Sequence, residues 1–297
     1  MKKIFYICQL MVFLFCNNTS NAQKNNTVLP GSTCRMGSQT INDSIMSTVA
    51  YNSNNNMVGI YSANSVNPSN MAMLDSTVFV YDNQNRLSSS VVYSKSYSST
   101  LTERYYYNQS GKLVRLARIA AMAGGQKQDS ILYQYPNTTT INTINYSTIN
   151  LGTITLGDTT NEKWQLDANG NVRRVFKNVL RTFLNKSIPT TLNRDSLLLV
   201  EEYNLDNTHP IPQPSNYFSS FINSKIQVNN FIKNYPVQIT YYDYTLNGPS
   251  VEKSISQYSF TNFYDNSGNL IQSILSLSGP RSGQLGPFKF SYQYTCN

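Results

Sequence analysis

A seven-residue pattern recurs along this chain: an aromatic or aliphatic residue, Asp or Asn, two free positions, Gly or Asn, one free position, and an aliphatic residue. It reads Tyr51-Asn52-x-x-Asn55-x-Met57, Tyr81-Asp82-x-x-Asn85-x-Leu87, Tyr107-Asn108-x-x-Gly111-x-Leu113, Leu166-Asp167-x-x-Gly170-x-Val172 and Tyr264-Asp265-x-x-Gly268-x-Leu270. Two weaker copies, Tyr135 to Ile141 and Leu205 to Ile211, keep the hydrophobic ends and lose the glycine. Successive copies then start 30, 26, 28, 31, 39 and 59 residues apart. A spacing near thirty over the first five starts marks a repeat protein.

The pattern has the chemistry of a hairpin corner. Asp or Asn opening a type I turn accepts a bond from its own backbone two residues on, and the fourth position needs positive φ. Glycine takes that conformation without a Cβ clash and Asn is next best, which accounts for Asn55 and Asn85 standing where Gly111, Gly170 and Gly268 stand. The first-position Asp82, Asn108, Asp167 and Asp265 are then turn formers, and the flanking Tyr and Leu return to one face of a sheet as packing residues.

Strand signals surround these corners. STVFVY at 76–81, RYYY at 104–107, SILYQY at 130–135, QITYYDY at 238–244 and KFSYQY at 289–294 are short, rich in β-branched and aromatic residues, and several alternate. One stretch differs: Tyr217, Phe218, Phe221, Ile222, Ile226, Phe231 and Ile232 form an imperfect helical stripe between the Pro210, Pro212, Pro214 run and Pro236. The expectation is an all-β antiparallel meander over 35–297, curled into a twisted open sheet or half-barrel, with one amphipathic helix at about 215–233. A closed sandwich is the alternative.

These residues resemble the tyrosine-aspartate (YD/RHS-like) repeat family, whose units carry a Tyr-Asp-x-x-Gly-x-Leu core, and in particular its short secreted members from Gram-negative bacteria. The stretch Leu205-Asp206-Asn207 through Pro210, with Tyr235-Pro236, is similar to an interrupted unit of such proteins, although His209 departs from the Asn usual there. The resemblance spans roughly residues 40–295, implies a β-repeat fold in the cell envelope, and brings no activity with it.

The first residues predict export. Lys2 and Lys3 precede the apolar run Ile4 to Phe15, and Ser20-Asn21-Ala22 offers small residues at the positions a signal peptidase reads, giving a signal peptide over 1–22 and a polar tail over 23–34. Cys16 raises a lipoprotein reading, but Phe15 sits where a lipid-attachment signal wants Gly, Ala or Ser. No later stretch reaches the roughly 18 consecutive apolar residues of a membrane helix, so the mature chain is expected to be soluble, periplasmic or at the cell surface. Cleavage removes Cys8 and Cys16 and leaves Cys34 and Cys296, an even pair in an oxidising compartment and so an expected disulfide. Chain-entropy reasoning bounds its stabilisation at about 5 kcal/mol.

Composition narrows the function classes. Charged residues are 13% of the chain, about half the usual share, so Asn, Ser and Thr supply the polarity. The formal charge is +8, and the basic residues are scattered, the densest group being Arg173, Arg174, Lys177 and Arg181. Nucleic-acid binding would want them on one face. One histidine, His209, in an Asn-Thr-His-Pro-Ile loop leaves serine, cysteine and zinc chemistries without parts. A carboxylate pair could serve a glycosidase, yet Asp265 is a turn former, and Glu201 and Glu202, adjacent on a strand, point to opposite faces. No catalytic residue, metal or cofactor is expected.

Asp followed by Ser or Thr recurs at Asp43-Ser44, Asp75-Ser76, Asp129-Ser130, Asp158-Thr159 and Asp195-Ser196. The bland reading is a loop end where a strand begins. The sharper one is an O-glycosylation sequon with acceptors Ser44, Ser76, Ser130, Thr159 and Ser196. The functional expectation is a non-enzymatic exported scaffold whose sheet presents an interaction surface to a protein or glycan at the envelope. The alternative is a glycan-binding module stacking sugars on exposed Tyr or Trp164.

Overall fold

The computed structural model describes residues 34–296 apart from 43–44, 55, 64–72, 95–98, 123–124, 183–194, 211–230, 248–249 and 281–286. The expected signal peptide, nearly all of the polar tail, Asn55, Ser44 and most of the expected helix lie outside the described residues. Sixteen strands follow one another: β1 (Cys34–Ile41), β2 (Ile45–Tyr51), β3 (Met57–Ala63), β4 (Met73–Tyr81), β5 (Leu87–Ser94), β6 (Ser99–Tyr107), β7 (Leu113–Met122) and β8 (Gly125–Asn137). Then come β9 (Thr140–Leu151), β10 (Ile154–Leu166), β11 (Val172–Lys177), β12 (Leu198–Pro210), β13 (Asn234–Asn247), β14 (Ser250–Tyr264), β15 (Leu270–Ser278) and β16 (Phe288–Cys296). A 3-10 turn at Val179–Thr182 is the one helical element among the described residues.

Each strand pairs antiparallel with its neighbours in sequence, and β1 pairs with β16, so the sheet is a closed barrel. This corrects the expectation of an open sheet or half-barrel: closure pairs both strand edges that an open meander would leave exposed. Because the strands alternate in direction, the start of β1, the end of β16 and all five full copies of the pattern gather at one rim, called here the turn rim.

The pattern forms these corners through its first residue. Asp82 Oδ1 accepts the backbone N–H of Gln84 and of Arg86, and Asn52, Asp167 and Asp265 each accept the equivalent pair. Asn108 Oδ1 accepts from Lys112 N and from Ser110 Oγ. The fourth residue has positive φ in each described copy, at 63° for Asn85, 79° for Gly111, 77° for Gly170 and 81° for Gly268. Asn85 pays for its Cβ by pairing its side-chain amide with that of Asn56 on the adjacent corner.

The tyrosine opening the pattern ties one corner to the previous one. Tyr51, Tyr81, Tyr107 and Tyr135 donate their hydroxyls to the carbonyls of Met36, Met57, Leu87 and Leu113, at 3.1, 2.8, 2.9 and 2.7 Å. Successive strands are staggered, as barrel closure requires, and the cross-strand ladders begin beyond those carbonyls, at Ser38–Thr48, Gly59–Val78, Ser89–Arg104 and Arg115–Leu132. The phenol thus takes an acceptor that the next strand does not reach. Beside it, Arg35, Arg86 and Lys112 lie over the rings of Tyr51, Tyr107 and Tyr135 at 5.7, 4.6 and 5.0 Å, a cation–π contact added to three of the four locks.

Alternation fills the interior. Along β6 the side chains of Ser99, Leu101, Glu103 and Tyr105 are buried while those of Arg104 and Tyr106 are exposed. One buried cluster runs from Met57 and Phe79 through Ile131, Trp164, Tyr203 and Ile239 to Leu275 and Phe290. Of the expected helical stretch, Phe231 to Lys233 is not helical. Phe231 enters the barrel against Trp164 and Tyr133, at ring separations of 5.3 and 6.0 Å. Its carbonyl accepts from Val172 N, and Lys233 N and Nζ bond Asn171 Oδ1 and Asn169 O on the Gly170 corner. The segment therefore stoppers part of the turn rim.

Candidate functional site

The interior carries a belt of buried polar groups above the apolar floor at the turn rim. Residues two apart on a strand share a face, and three strands use this in the same way, with an inward Glu bonded to the inward aromatic two positions on. Glu103 Oε2 accepts from Tyr105 Oη and from Ser90 Oγ, Glu162 Oε2 accepts from Trp164 Nε1 at 2.9 Å, and Glu201 accepts from Tyr203 Oη. Burying a carboxylate is costly unless donors or a cation compensate it. Arg118 supplies the cation for Glu103 at 3.0 Å and lies 3.9 Å from Asp129, which also has Lys127 at 3.4 Å. Lys177 sits 3.3 Å from Glu162. Glu103 and Arg118 are 2% and 7% exposed, so this pairing lies deep in the barrel.

Chemically the belt holds its charges in place. Around Glu103, Glu162 and Glu201 stand donors and cations, and among the described residues no group of three or more His, Cys, Asp or Glu is placed to hold a metal ion. Glu202, next to the inward Glu201, points outward to Arg174 at 2.7 Å. His209 sits near the turn rim, its ring stacked on Tyr264 at 3.7 Å, with Nδ1 2.8 Å from Asp206 Oδ2. Tyr264 Oη donates to that same oxygen at 3.0 Å. The interrupted copy at Leu205-Asp206 thus caps a local knot while its strand runs on to Pro210, and the imidazole is a packing residue.

The structure distributes the other expected residues around the barrel. Asp82, Asn85, Asn108, Gly111, Asp167, Gly170, Asp265 and Gly268 are corners, all at the turn rim. Ser76, Ser130 and Thr159 lie inside β4, β8 and β10, so the strands begin earlier than the loop-end reading has it. Ser196 precedes β12. Arg173, Arg174 and Lys177 pair separately with Asp167, Glu202 and Glu162, which leaves no basic patch among them. The Glu-x-aromatic belt escaped the sequence reading. Its signal is Glu103-Arg104-Tyr105, Glu162-Lys163-Trp164 and Glu201-Glu202-Tyr203, each inside an alternating strand.

The expected open scaffold, and its glycan-binding alternative, are corrected by this geometry. Barrel closure pairs the sheet's edges, Trp164 is fully buried, and four corner tyrosines are bonded to backbone carbonyls and Tyr264 to Asp206. No protein-family model and no curated protein match the chain. Among solved structures it is similar to a porin-like protein from Bacteroides vulgatus ATCC 8482, at 12% identity over 88% of this chain and 98% of that one, with a TM-score of 0.47. It is also similar to a porin-like protein from Bacteroides uniformis ATCC 8492, at 12% identity with the same coverage and a TM-score of 0.36.

Proposed function

We propose that the protein is an exported, non-catalytic β-barrel of the bacterial cell envelope, built on the plan of outer-membrane barrels, with an interior too filled to conduct. The observation that carries this reading is the closed meander, with an even number of antiparallel strands, the start of the first and the end of the last at one rim, and the tight corners gathered there. Barrels that cross the outer membrane share that plan, since a closed ring leaves no sheet edge unpaired toward lipid. Their resting place is set by the outer face. On β3 to β5 the exposed side chains include Tyr61, Val78, Val80, Val91 and Tyr93, and most of these strands approach the roughly 9–11 residues that span a bilayer.

The β6 to β12 side carries Arg104, Arg115, Gln134, Lys163 and Arg174 outward. In this proposal it faces water or protein, because a Lys or Arg at the bilayer midplane costs about 2–4 kcal/mol. Porins line their lumen with polar side chains around water. Here the inward Ile131, Trp164 and Phe290 are wholly buried, which supports a barrel that does not pass ions. The likeness to tyrosine-aspartate repeats is, on this reading, one of the corner and its tyrosine.

Fractionation of cells expressing the full chain tests the location, and reconstitution into planar bilayers tests the interior. The expected result is sedimentation with outer membranes, release by detergent, and no stepwise current. A monomer recovered wholly in the osmotic-shock fluid refutes the membrane contact, and discrete channel steps refute the filled interior.

A further inference from the structure

We infer that Cys34 and Cys296 are joined in a disulfide that closes the barrel covalently at its seam. β1 and β16 pair antiparallel, and the register sets Cys34 directly across from Cys296 at the turn rim. Antiparallel partners lie roughly 4.5–5.5 Å apart between Cα atoms, inside the span of about 4.4–6.8 Å that disulfides accept. Residues so distant in sequence reach this spacing only because the barrel closes.

The seam is also where a covalent tie adds most. Every other pair of neighbouring strands is already joined by the chain between them, whereas β1 and β16 are the two ends of the meander. At the opposite rim the seam has a polar clamp: Asn42 N donates to Lys289 O, and Lys289 N donates to Asn42 Oδ1, both at 2.8 Å. Along it, Ser38 Oγ donates to Gln293 Oε1 at 3.1 Å and Gln39 Nε2 to Tyr292 Oη at 3.4 Å. The cysteines hold the turn-rim end. If the seam opened there, two strand edges would be free to pair with other chains.

The chemistry is an exchange with an oxidised protein dithiol of the export compartment. One thiolate attacks the oxidant's disulfide, and the second cysteine displaces the oxidant from the mixed disulfide. The sulfur–sulfur bond forms as two protons and two electrons leave the cysteine pair and the oxidant becomes a dithiol. Cys8 and Cys16 fall within the expected signal peptide, so in the processed chain the pair has no competing partner.

The test is peptide mapping of the exported full chain, prepared without reductant and alkylated before and after reduction. The expected result is one intrachain pair of peptides containing Cys34 and Cys296, alkylated only after reduction. Two thiols alkylated without reduction, or a cross-link between chains, overturn the inference. A C34S/C296S variant gives a second reading by hydrogen exchange. Amides of β1 and β16 are expected to exchange at least about tenfold faster than in the unaltered protein, with β6 to β8 unchanged, and equal protection at the seam counts against the tie.

Discussion

Removing one phenol hydroxyl from the corner locks should destabilise the barrel measurably although no packing atom is lost. In Tyr107→Phe the ring stays under Arg86, at 4.6 Å, while the bond to Leu87 O at 2.9 Å disappears. A typical protein hydrogen bond contributes about 0.5–1.5 kcal/mol net, and an acceptor left dry costs about 1–3 kcal/mol. The Leu87 carbonyl lies beyond the start of the β5–β6 ladder at Ser89–Arg104, so that ladder offers it no substitute donor. Water can reach a rim site in part, which places the expected cost at about 1–2 kcal/mol. Tyr81→Phe and Tyr135→Phe act on separate corners and should add to it within about 0.5 kcal/mol. The assay is urea unfolding of the three single variants and the triple, with Tyr93→Phe as an exposed control. If all three singles match the control, the hydroxyls are not locks and the account of the repeat fails.

Further consequences can be measured on the same footing. Gly268→Val meets open space but keeps a φ of 81°, so its cost of about 1–3 kcal/mol is backbone strain and should appear in the urea midpoint. Asn85→Gly relieves strain but loses the amide pair with Asn56, and is expected within about 0.5 kcal/mol of neutral by the same measurement. Burial opposes the charge on Asp82, but the backbone N–H of Arg86, its guanidinium and the N–H of Gln84 together hold the carboxyl below its usual range. That corner's contribution is therefore full above about pH 4 and is lost as pH falls toward the folded-state pKa, a dependence that Asp82→Asn should flatten in acid titrations of stability. Glu103→Gln leaves the buried Arg118 with the more distant Asp129, at 3.9 Å, as its carboxylate, and is expected to cost up to about 3 kcal/mol, whereas Glu103→Gln with Arg118→Met should cost less than the two single losses combined. Glycopeptide mapping should find any O-glycan on Ser130 or Thr159 and none on Ser76, which sits beside Val91 and Tyr93 on the face proposed to meet lipid.

The corners and the class of fold were legible because their causes are local. An Asx turn and a positive-φ residue are decided within five positions, and strands with Tyr or Val at alternate positions declare themselves. Even the tyrosine lock can be stated as a rule, with the pattern's first residue bonding the region of the previous pattern's last, once the stagger between strands is known. Closure is a different kind of fact. It depends on the twist, tilt and stagger accumulated over sixteen strands, and the one direct contact that expresses it joins residues at opposite ends of the chain. The two cysteines were the visible trace of that contact, and they pointed to curvature without distinguishing a half-barrel from a ring. The absence of a long apolar helix was read as solubility, but strands cross a membrane with alternate residues, so that count is blind to a barrel. The interior belt stayed hidden for a related reason. A Glu flanked by exposed-looking Arg104 or Lys163 reads as surface until alternation is anchored to an inside, and the inside exists only after the ring has closed. The parts of this protein that its neighbours in sequence determine can be read from the chain, and those that the whole ring determines, the seam, the filled interior and the face proposed to meet lipid, become readable only from the closed form.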